Sequence, residues 1–191
     1  MAVLAAAGLA GLDQVVATAL AGPRLDQAFA TGIGWLDLLV GKEISTFLLG
    51  FAIIVVGAML LLLRHRAGWP TLFVGIVQFS ATVVADLAKP VFGRLRPGET
   101  PGPTDRWFAD GNSFPSGHSA FYLALVLPVV LRHPRLCPLL GVPMFVAVGR
   151  VVMTDHYFSD VAVSLALAAV ITAAAAQLLR RRLEASRRGF E

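Results

Sequence analysis

Residues 44–63 read ISTFLLGFAIIVVGAMLLLL and stop at Arg64-His65-Arg66. No charge interrupts the run, and about 20 mostly apolar residues is the length an α-helix needs to cross a hydrocarbon core. A helix also satisfies its own backbone N–H and C=O groups where water cannot. The run therefore predicts a membrane-crossing helix closed by interfacial cations. Outward from it the pattern repeats. Trp69–Ala88 opens on Trp69-Pro70 and carries Asp86 near its end. A first-turn proline lacks only an N–H that would have had no helical partner. Ser119–Leu131 is apolar but short, contains Pro128 and ends at Arg132-His133-Pro134-Arg135; Pro138–Val152 is a further short run. Phe158–Leu179 is a strong span ended by Arg180-Arg181-Arg182, and residues 2–22 form a weaker sixth, interrupted by Asp13 and Gln14. Residues 26–40 are too broken to cross. They carry Phe29, Ile33, Trp35, Leu36 and Leu39, which suits a helix lying in the interface.

Composition supports this reading. Of 191 residues, 57% are hydrophobic and 15% charged, with a mean hydropathy of +0.73. Soluble domains lie nearer ~45–50% apolar and ~25% charged, so a soluble globule is excluded. Disorder is excluded for the same reason. The polar segments show no repeat or interdomain linker. The expectation is one all-α domain over residues 1–191, an integral membrane six-helix bundle with spans near 2–22, 44–63, 69–88, 119–131, 138–152 and 158–179. The N-terminus has no basic n-region, so no cleaved signal peptide is expected. Cys137 has no partner for an internal disulfide. High Ala, Gly and Arg with two lysines points to a GC-rich bacterial genome and hence to a bacterial inner membrane.

The net charge of +4 is a topology signal rather than a sign of nucleic-acid binding. With six spans, Arg64, Arg66, Arg132, Arg135, Arg180, Arg181, Arg182, Arg187 and Arg188 share one side, accompanied by few acids. The positive-inside rule makes that side cytoplasmic, with both termini. Arg24 and Lys42 fall on the opposite side, as do Lys89, Arg94, Arg96, Arg106 and Arg150. Those last five run against the rule, which suggests a local task.

That outer side gathers a specific set. Lys89 and Arg96-Pro97 bracket a short loop. Pro115-Ser116-Gly117-His118 directly precedes an apolar helix. Arg150 is followed by His156 and Asp160. Cations, histidines and a carboxylate at helix ends suit phosphoryl transfer, where charge spreads over the equatorial oxygens and fixed positive charge with N–H donors does most of the catalysis. Arg adds bidentate forks. A helix start at Ser116-Gly117 offers unpaired N–H groups, and Gly117 lets a ligand approach the backbone. His156 and Asp160 are four apart, on one helix face. The carboxylate can hold one imidazole nitrogen protonated and leave the other to attack, with His118 as proton donor to the leaving group. The electrostatic task is already filled, so no metal or other cofactor is expected.

These residues resemble the type 2 phosphatidic acid phosphatase superfamily, whose pattern is K-x6-RP, then PSGH, then SR-x5-H-x3-D. The first two motifs match fully and the third matches in spacing, over roughly Ile44 to Leu179. The resemblance implies a six-span bundle with its site at the outer membrane face. It implies His156 as a nucleophile forming a phosphohistidine, Asp160 orienting it, and His118 protonating the leaving group. Lys89, Arg96, Ser116, Gly117 and Arg150 would hold the phosphoryl oxygens. The chain departs from the family at Gly149, where Ser is usual. The implied substrate is a lipid phosphate such as phosphatidic acid, phosphatidylglycerol phosphate, undecaprenyl diphosphate or a lipid A phosphate. A phosphotransferase using the same intermediate is an alternative, as is a non-catalytic transporter or lipid-binding protein. Related haloperoxidases bind vanadate in such a cradle, but they are larger and soluble.

Singly, several of these residues have plainer readings. Asp86, one turn before Lys89, is expected to pair with it. Arg94 and Arg106 either reach the substrate or, as the commoner reading, are solvated; His65 and His133 are expected to be solvated. Asp155 is either a surface acid or a group tuning His156. Asp110 and Asn112 are expected in turns, and Trp35, Trp69 and Trp107 as interfacial anchors. Asp13 is the one charge a relay across the membrane would have at mid-span.

Overall fold

The structure, a computed structural model, describes residues 11–13, 15–16, 19, 23–42, 45–99 and 107–188, with side chains in the last helix as far as Arg181. The described residues form helices and turns without strands. These are α1 (Pro23–Leu39), α2 (Leu48–Leu62), α3 (Gly68–Phe92), α4 (Gly117–Arg132), α5 (Gly141–Val152) and α6 (Phe158–Arg188). Short 3-10 turns at Pro97–Glu99 and Pro134–Leu140 precede α4 and α5. Residues 11–13, 15–16 and 19 are helical too; the rest of the run 2–22 lies outside the described residues.

Among the described residues, three stretches are long and apolar enough to cross a membrane: Gly68–Glu99, Pro134–Val152 and Phe158–Arg181. The outward faces are apolar as well, with Phe51, Met59 and Leu62 on α2, Leu87 and Val91 on α3, and Val170 and Leu178 on α6 all exposed. The chain is an integral membrane protein. The expected span 44–63 narrows to the 15 residues of α2, because residues 45–47 make a turn in which Phe47 N–H donates to Ser45 Oγ. At its other end Arg64 takes a left-handed φ of 53°. With ~1.5 Å rise per residue, the 15 residues of α2 and 16 of α4 fall short of a ~30 Å hydrocarbon core. The region 26–40, read as an interfacial helix, forms α1.

Glycines set the closest approach in the bundle. A Cβ on Gly57 would stand 2.5 Å from the Leu72 nitrogen, and one on Gly75 would stand 2.7 Å from that of Ile54. Small residues let helix backbones meet where apolar burial alone cannot draw helices together in lipid, so α2 and α3 form a tight hairpin. The central element is α4, whose residues Ser119 to Ala124 are all buried. Leu123 and Ala124 pack with Val77 and Ala81 of α3 and Ala168 of α6. Phe121 and Tyr122 pack with Ile33 of α1 and Val146 of α5. A helix apolar all round belongs inside. This arrangement brings the ends of α1, α3 and α5 and the starts of α4 and α6 to one pole. At the other pole Trp69, Arg132, His133 and Arg180 line one groove.

Candidate active site

The site begins where α3 ends. Lys89 lies in its last turn, with Nζ 2.5 Å from Asp86 Oδ1, the pairing expected from their spacing. Gly93 stops the helix in the left-handed region at φ 49°. The chain then returns along itself: Phe108 N–H donates to the Phe92 carbonyl at 2.9 Å, and Ser113 N–H to that of Arg94 at 2.9 Å. Gly111 is needed there, since a Cβ would stand 2.2 Å from the Arg94 carbonyl oxygen. This fold-back corrects the reading of Arg94 as solvated, since only 1% of it is exposed. Its guanidinium binds Asp160, Ser159 Oγ (2.7 Å) and Asp13 (2.9 Å). It lies 4.6 Å from the Trp107 ring centre and 3.9 Å from that of Tyr157. Asp13 is also held by the N–H and hydroxyl of Ser159. Arg106 lies outside the described residues.

The turn between α5 and α6 presents His156, 3% exposed, its N–H donating to the Arg150 carbonyl at 3.1 Å. Nδ1 lies 2.6 Å from the carbonyl oxygen of Ser113. A carbonyl only accepts, so Nδ1 carries the proton and Nε2 keeps its lone pair. Asp160 stands 3.8 Å from Nδ1, an electrostatic separation rather than a hydrogen bond. Its oxygens take Arg94, the Ser113 hydroxyl at 2.5 Å and the Tyr157 N–H at 3.0 Å. Asp160 is thus connected to His156 through Ser113 and the turn. Burial holds the His156 imidazole below its ordinary pKa, with the charge of Arg150 adding to the effect and Asp160 and Ser113 opposing it.

The phosphate-binding candidates come together around this turn. A Cβ on Gly117 would stand 3.3 Å from Lys89 Nζ, so the first two motifs touch. Ser116 stands at the N-cap position of α4, with no capping hydrogen bond from its side chain. Its Oγ lies 3.0 Å from Ser119 Oγ, and its N–H reaches the Asp160 carbonyl in a long 3.5 Å bond. Arg150 and Arg96 both meet Asp155, at 2.9 Å and 3.5 Å. Asp155 therefore bridges two cations and leaves His156 to other partners. Nε of Arg150 is buried and donates to no atom of the described residues. A buried donor of this kind suits an anion's oxygen, since leaving it unmet costs about 1–3 kcal/mol.

His118 is built differently. Its Nε2 lies 2.9 Å from Asp37 Oδ2 and 3.2 Å from Lys42 Nζ, while the Tyr122 hydroxyl donates to Asp37 Oδ1 at 2.7 Å. Burial tends to raise the Asp37 pKa, but the hydrogen bonds from His118 and Tyr122 outweigh it and keep the carboxyl ionised. Burial lowers the Lys42 ammonium, opposed by Asp37 and reinforced by Arg150 and Lys89. Asp37 and Lys42 were not singled out as site residues from the sequence. A signal was there: Phe29, Ile33 and Asp37 recur every four residues, which places a carboxylate on the apolar stripe of α1. That stripe also accounts for Gly149. A Cβ there would stand 2.7 Å from both Phe29 and Ile33, so α1 occupies the space a serine side chain would need.

Three comparisons bear on this arrangement. Comparison with the curated proteins finds no match. Among solved structures, the chain is similar to the first transmembrane PAP2 type phosphatidylglycerolphosphate phosphatase from Bacillus subtilis. The two share 23% sequence identity and a TM-score of 0.60, over 90% of this chain and 86% of that one, a likeness of fold. The family model described as PAP2 superfamily matches residues 69–184, the stretch that carries all three motifs. The chain belongs to the PAP2 superfamily.

Proposed function

We propose that this protein is a membrane-embedded phosphatase that removes phosphate from a lipid phosphate or diphosphate. The observation that carries the reading is His156: a buried imidazole with Nδ1 fixed on the Ser113 carbonyl, four residues before Asp160 and beside Arg150. Family membership supports it.

Nε2 of His156 attacks phosphorus. As the N–P bond forms, the P–O bond to the leaving group breaks, and His118 gives that oxygen a proton. A water molecule then attacks the phosphohistidine, its proton passes to His118, the N–P bond breaks, and inorganic phosphate leaves. The charge that moves onto the phosphoryl oxygens is met by Lys89, Arg96, Arg150, the Ser116 hydroxyl and the Gly117 N–H at the start of α4. Asp155 gives up Arg96 and Arg150 when the substrate takes its place. These cations do the work that a Mg²⁺ ion does elsewhere, so the reaction is metal-independent. The site faces the outer side of a bacterial inner membrane, the pole opposite Arg132 and Arg180. Phosphatidic acid, phosphatidylglycerol phosphate, undecaprenyl diphosphate and lipid A phosphates are the substrate candidates. All present a phosphate at membrane level.

The test is phosphate release from a panel of these lipids by detergent-solubilised protein in EDTA. Activity that survives EDTA and is inhibited by orthovanadate, a mimic of the five-coordinate transition state, supports the reading. Activity lost in EDTA and restored by Mg²⁺ overturns the metal-free mechanism. Transfer of phosphate to an added alcohol faster than to water would make the enzyme a phosphotransferase.

A further inference from the structure

The general acid has a partner outside the motifs. The three motifs lie between Lys89 and Asp160, and each supplies groups to the phosphate or the nucleophile. Asp37 comes from α1, 81 residues before His118 in the chain, yet its carboxylate lies 2.9 Å from His118 Nε2. It is 6% exposed and gripped from the far side by Tyr122. His118 and Tyr122 are four apart on α4, so both reach Asp37 from one helix face. The carboxylate's place is set from a third direction by α1 itself, whose Phe29 and Ile33 lie on Gly149, the neighbour of Arg150. A buried carboxylate tied to two side chains of one helix, on an arm seated against another, is a rigid fixture.

We infer that Asp37 is a positioning residue for His118 in the phosphatase reaction proposed above, on which this assignment rests. Nε2 of His118 meets both a carboxylate and, at 3.2 Å, the ammonium of Lys42. One ring nitrogen cannot donate to the first and accept from the second at once. With a proton on Nε2, the carboxylate is the partner, and Nδ1 is the nitrogen turned to the leaving oxygen. When Nδ1–H breaks and the new O–H bond forms on the leaving group, the neutral ring stays anchored through Nε2–H. When water is deprotonated in the second step, Asp37 stabilises the imidazolium that forms. The negative charge of Asp37 opposes what burial, Lys42 and Arg150 do to that imidazolium.

The two histidines are thereby held by the same device from different sources. Each has one ring nitrogen fixed and the other left for chemistry. His156 uses a backbone carbonyl from the loop before α4, and His118 uses a side chain from α1.

A double-mutant cycle on full-length, detergent-solubilised protein tests this. The variants are Asp37→Asn, Asp37→Glu, His118→Ala and the Asp37→Asn/His118→Ala pair, each assayed on phosphatidic acid and on p-nitrophenyl phosphate. An aryl oxide leaves with little help from an acid and an alkoxide does not. Asp37→Asn is expected to lower kcat/KM on phosphatidic acid, which reports the first step, about 10- to 100-fold, as loss of an orienting partner commonly does. The effect on the aryl phosphate is small, Asp37→Glu recovers part of the loss, and Asp37→Asn costs nothing further in the His118→Ala background. Tyr122→Phe, which keeps the ring but frees one carboxylate oxygen, gives a weaker version of the same pattern and serves if Asp37→Asn fails to fold. Equal losses on both substrates, or losses that multiply with His118→Ala, overturn the assignment while the wild-type activity stands. A wild type that releases phosphate from neither substrate overturns the phosphatase reading and this assignment with it.

Discussion

The surroundings of His156 and His118 differ in kind. His156 sits 3% exposed in a turn between two helices and gives its Nδ1 proton to an uncharged carbonyl, with the carboxylate of Asp160 held back at 3.8 Å. His118 opens α4, with 22% of its side chain exposed, and places its Nε2 on a carboxylate. An uncharged partner suits an imidazole that must stay neutral to attack. A carboxylate partner suits one that must carry a proton in one step and recover it in the next. On the proposed mechanism, the division of labour between nucleophile and acid lies in the groups behind the rings. Those groups come from different segments, Ser113 from the loop before α4 and Asp37 from α1.

The largest expected effect separates the two rings outright. His156→Ala should cost about 10⁴-fold or more in turnover of every substrate, since loss of a nucleophile removes the covalent route. His118→Ala should cost about 10²- to 10⁴-fold in kcat/KM on phosphatidic acid and far less on an aryl phosphate, measured as the ratio of kcat/KM values, which report the first step rather than hydrolysis of the shared phosphoenzyme. Equal collapse on both would mean that His118 also holds the phosphate, and the contrast would be lost.

The third prediction attacks the support of His156. Arg94→Met leaves the buried carboxylates of Asp160 and Asp13 without their guanidinium. Removing one partner of a buried pair costs about 3–5 kcal/mol, seen as a large fall in Tm. A variant as stable as wild type would show that the Arg94 clamp is dispensable.

Restoring the family's usual residue sharpens the other side. Gly149→Ser should destabilise the protein by about 1–3 kcal/mol, because the new side chain meets Phe29 and Ile33. It should also mimic the Asp37→Asn defect by unseating α1. Phe29→Ala in the same chain should relieve both effects. A gain of activity from Gly149→Ser alone would contradict the packing of α1 on α5.

The smallest effect is a pH shift. Burial favours the neutral His156 imidazole, so its lone pair persists to lower pH than in an ordinary histidine. The acid limb of kcat/KM on an aryl phosphate should therefore lie below ~6.5. A limb at or above that value would place a different group, or an exposed histidine, in the nucleophile's position.

Much of this arrangement was legible in the chain, and the exceptions have physical reasons. Lys89, Arg96, Ser116, Gly117, His118, Arg150, His156 and Asp160 announced themselves because their spacing along the sequence is local. Asp86 declared its partner because that partner is one turn away. Arg94 looked like any cation in a polar loop, since nothing local shows that residues 107–113 fold back and bury it. The paired glycines at 93 and 111 are the trace of that closure. Asp37 was hidden by distance, as its partner stands 81 residues away. The helices were legible in place but not in length. The run 44–63 has the composition of a full span, yet the hydroxyl of Ser45 makes a turn of its first residues and shortens α2.

One measurement addresses the central claim directly. Protein incubated briefly with a ³²P-labelled lipid phosphate in EDTA and then denatured should carry label on the chain. The label should be acid-labile and base-stable, as expected of a phosphoramidate on imidazole, and absent from His156→Ala. His118→Ala, loaded from an aryl phosphate, should accumulate more label than wild type, since the base that activates water for the second step is gone. Label that persists in His156→Ala would contradict the account, as would a wild type that turns over substrate with no phosphoenzyme at any quench time.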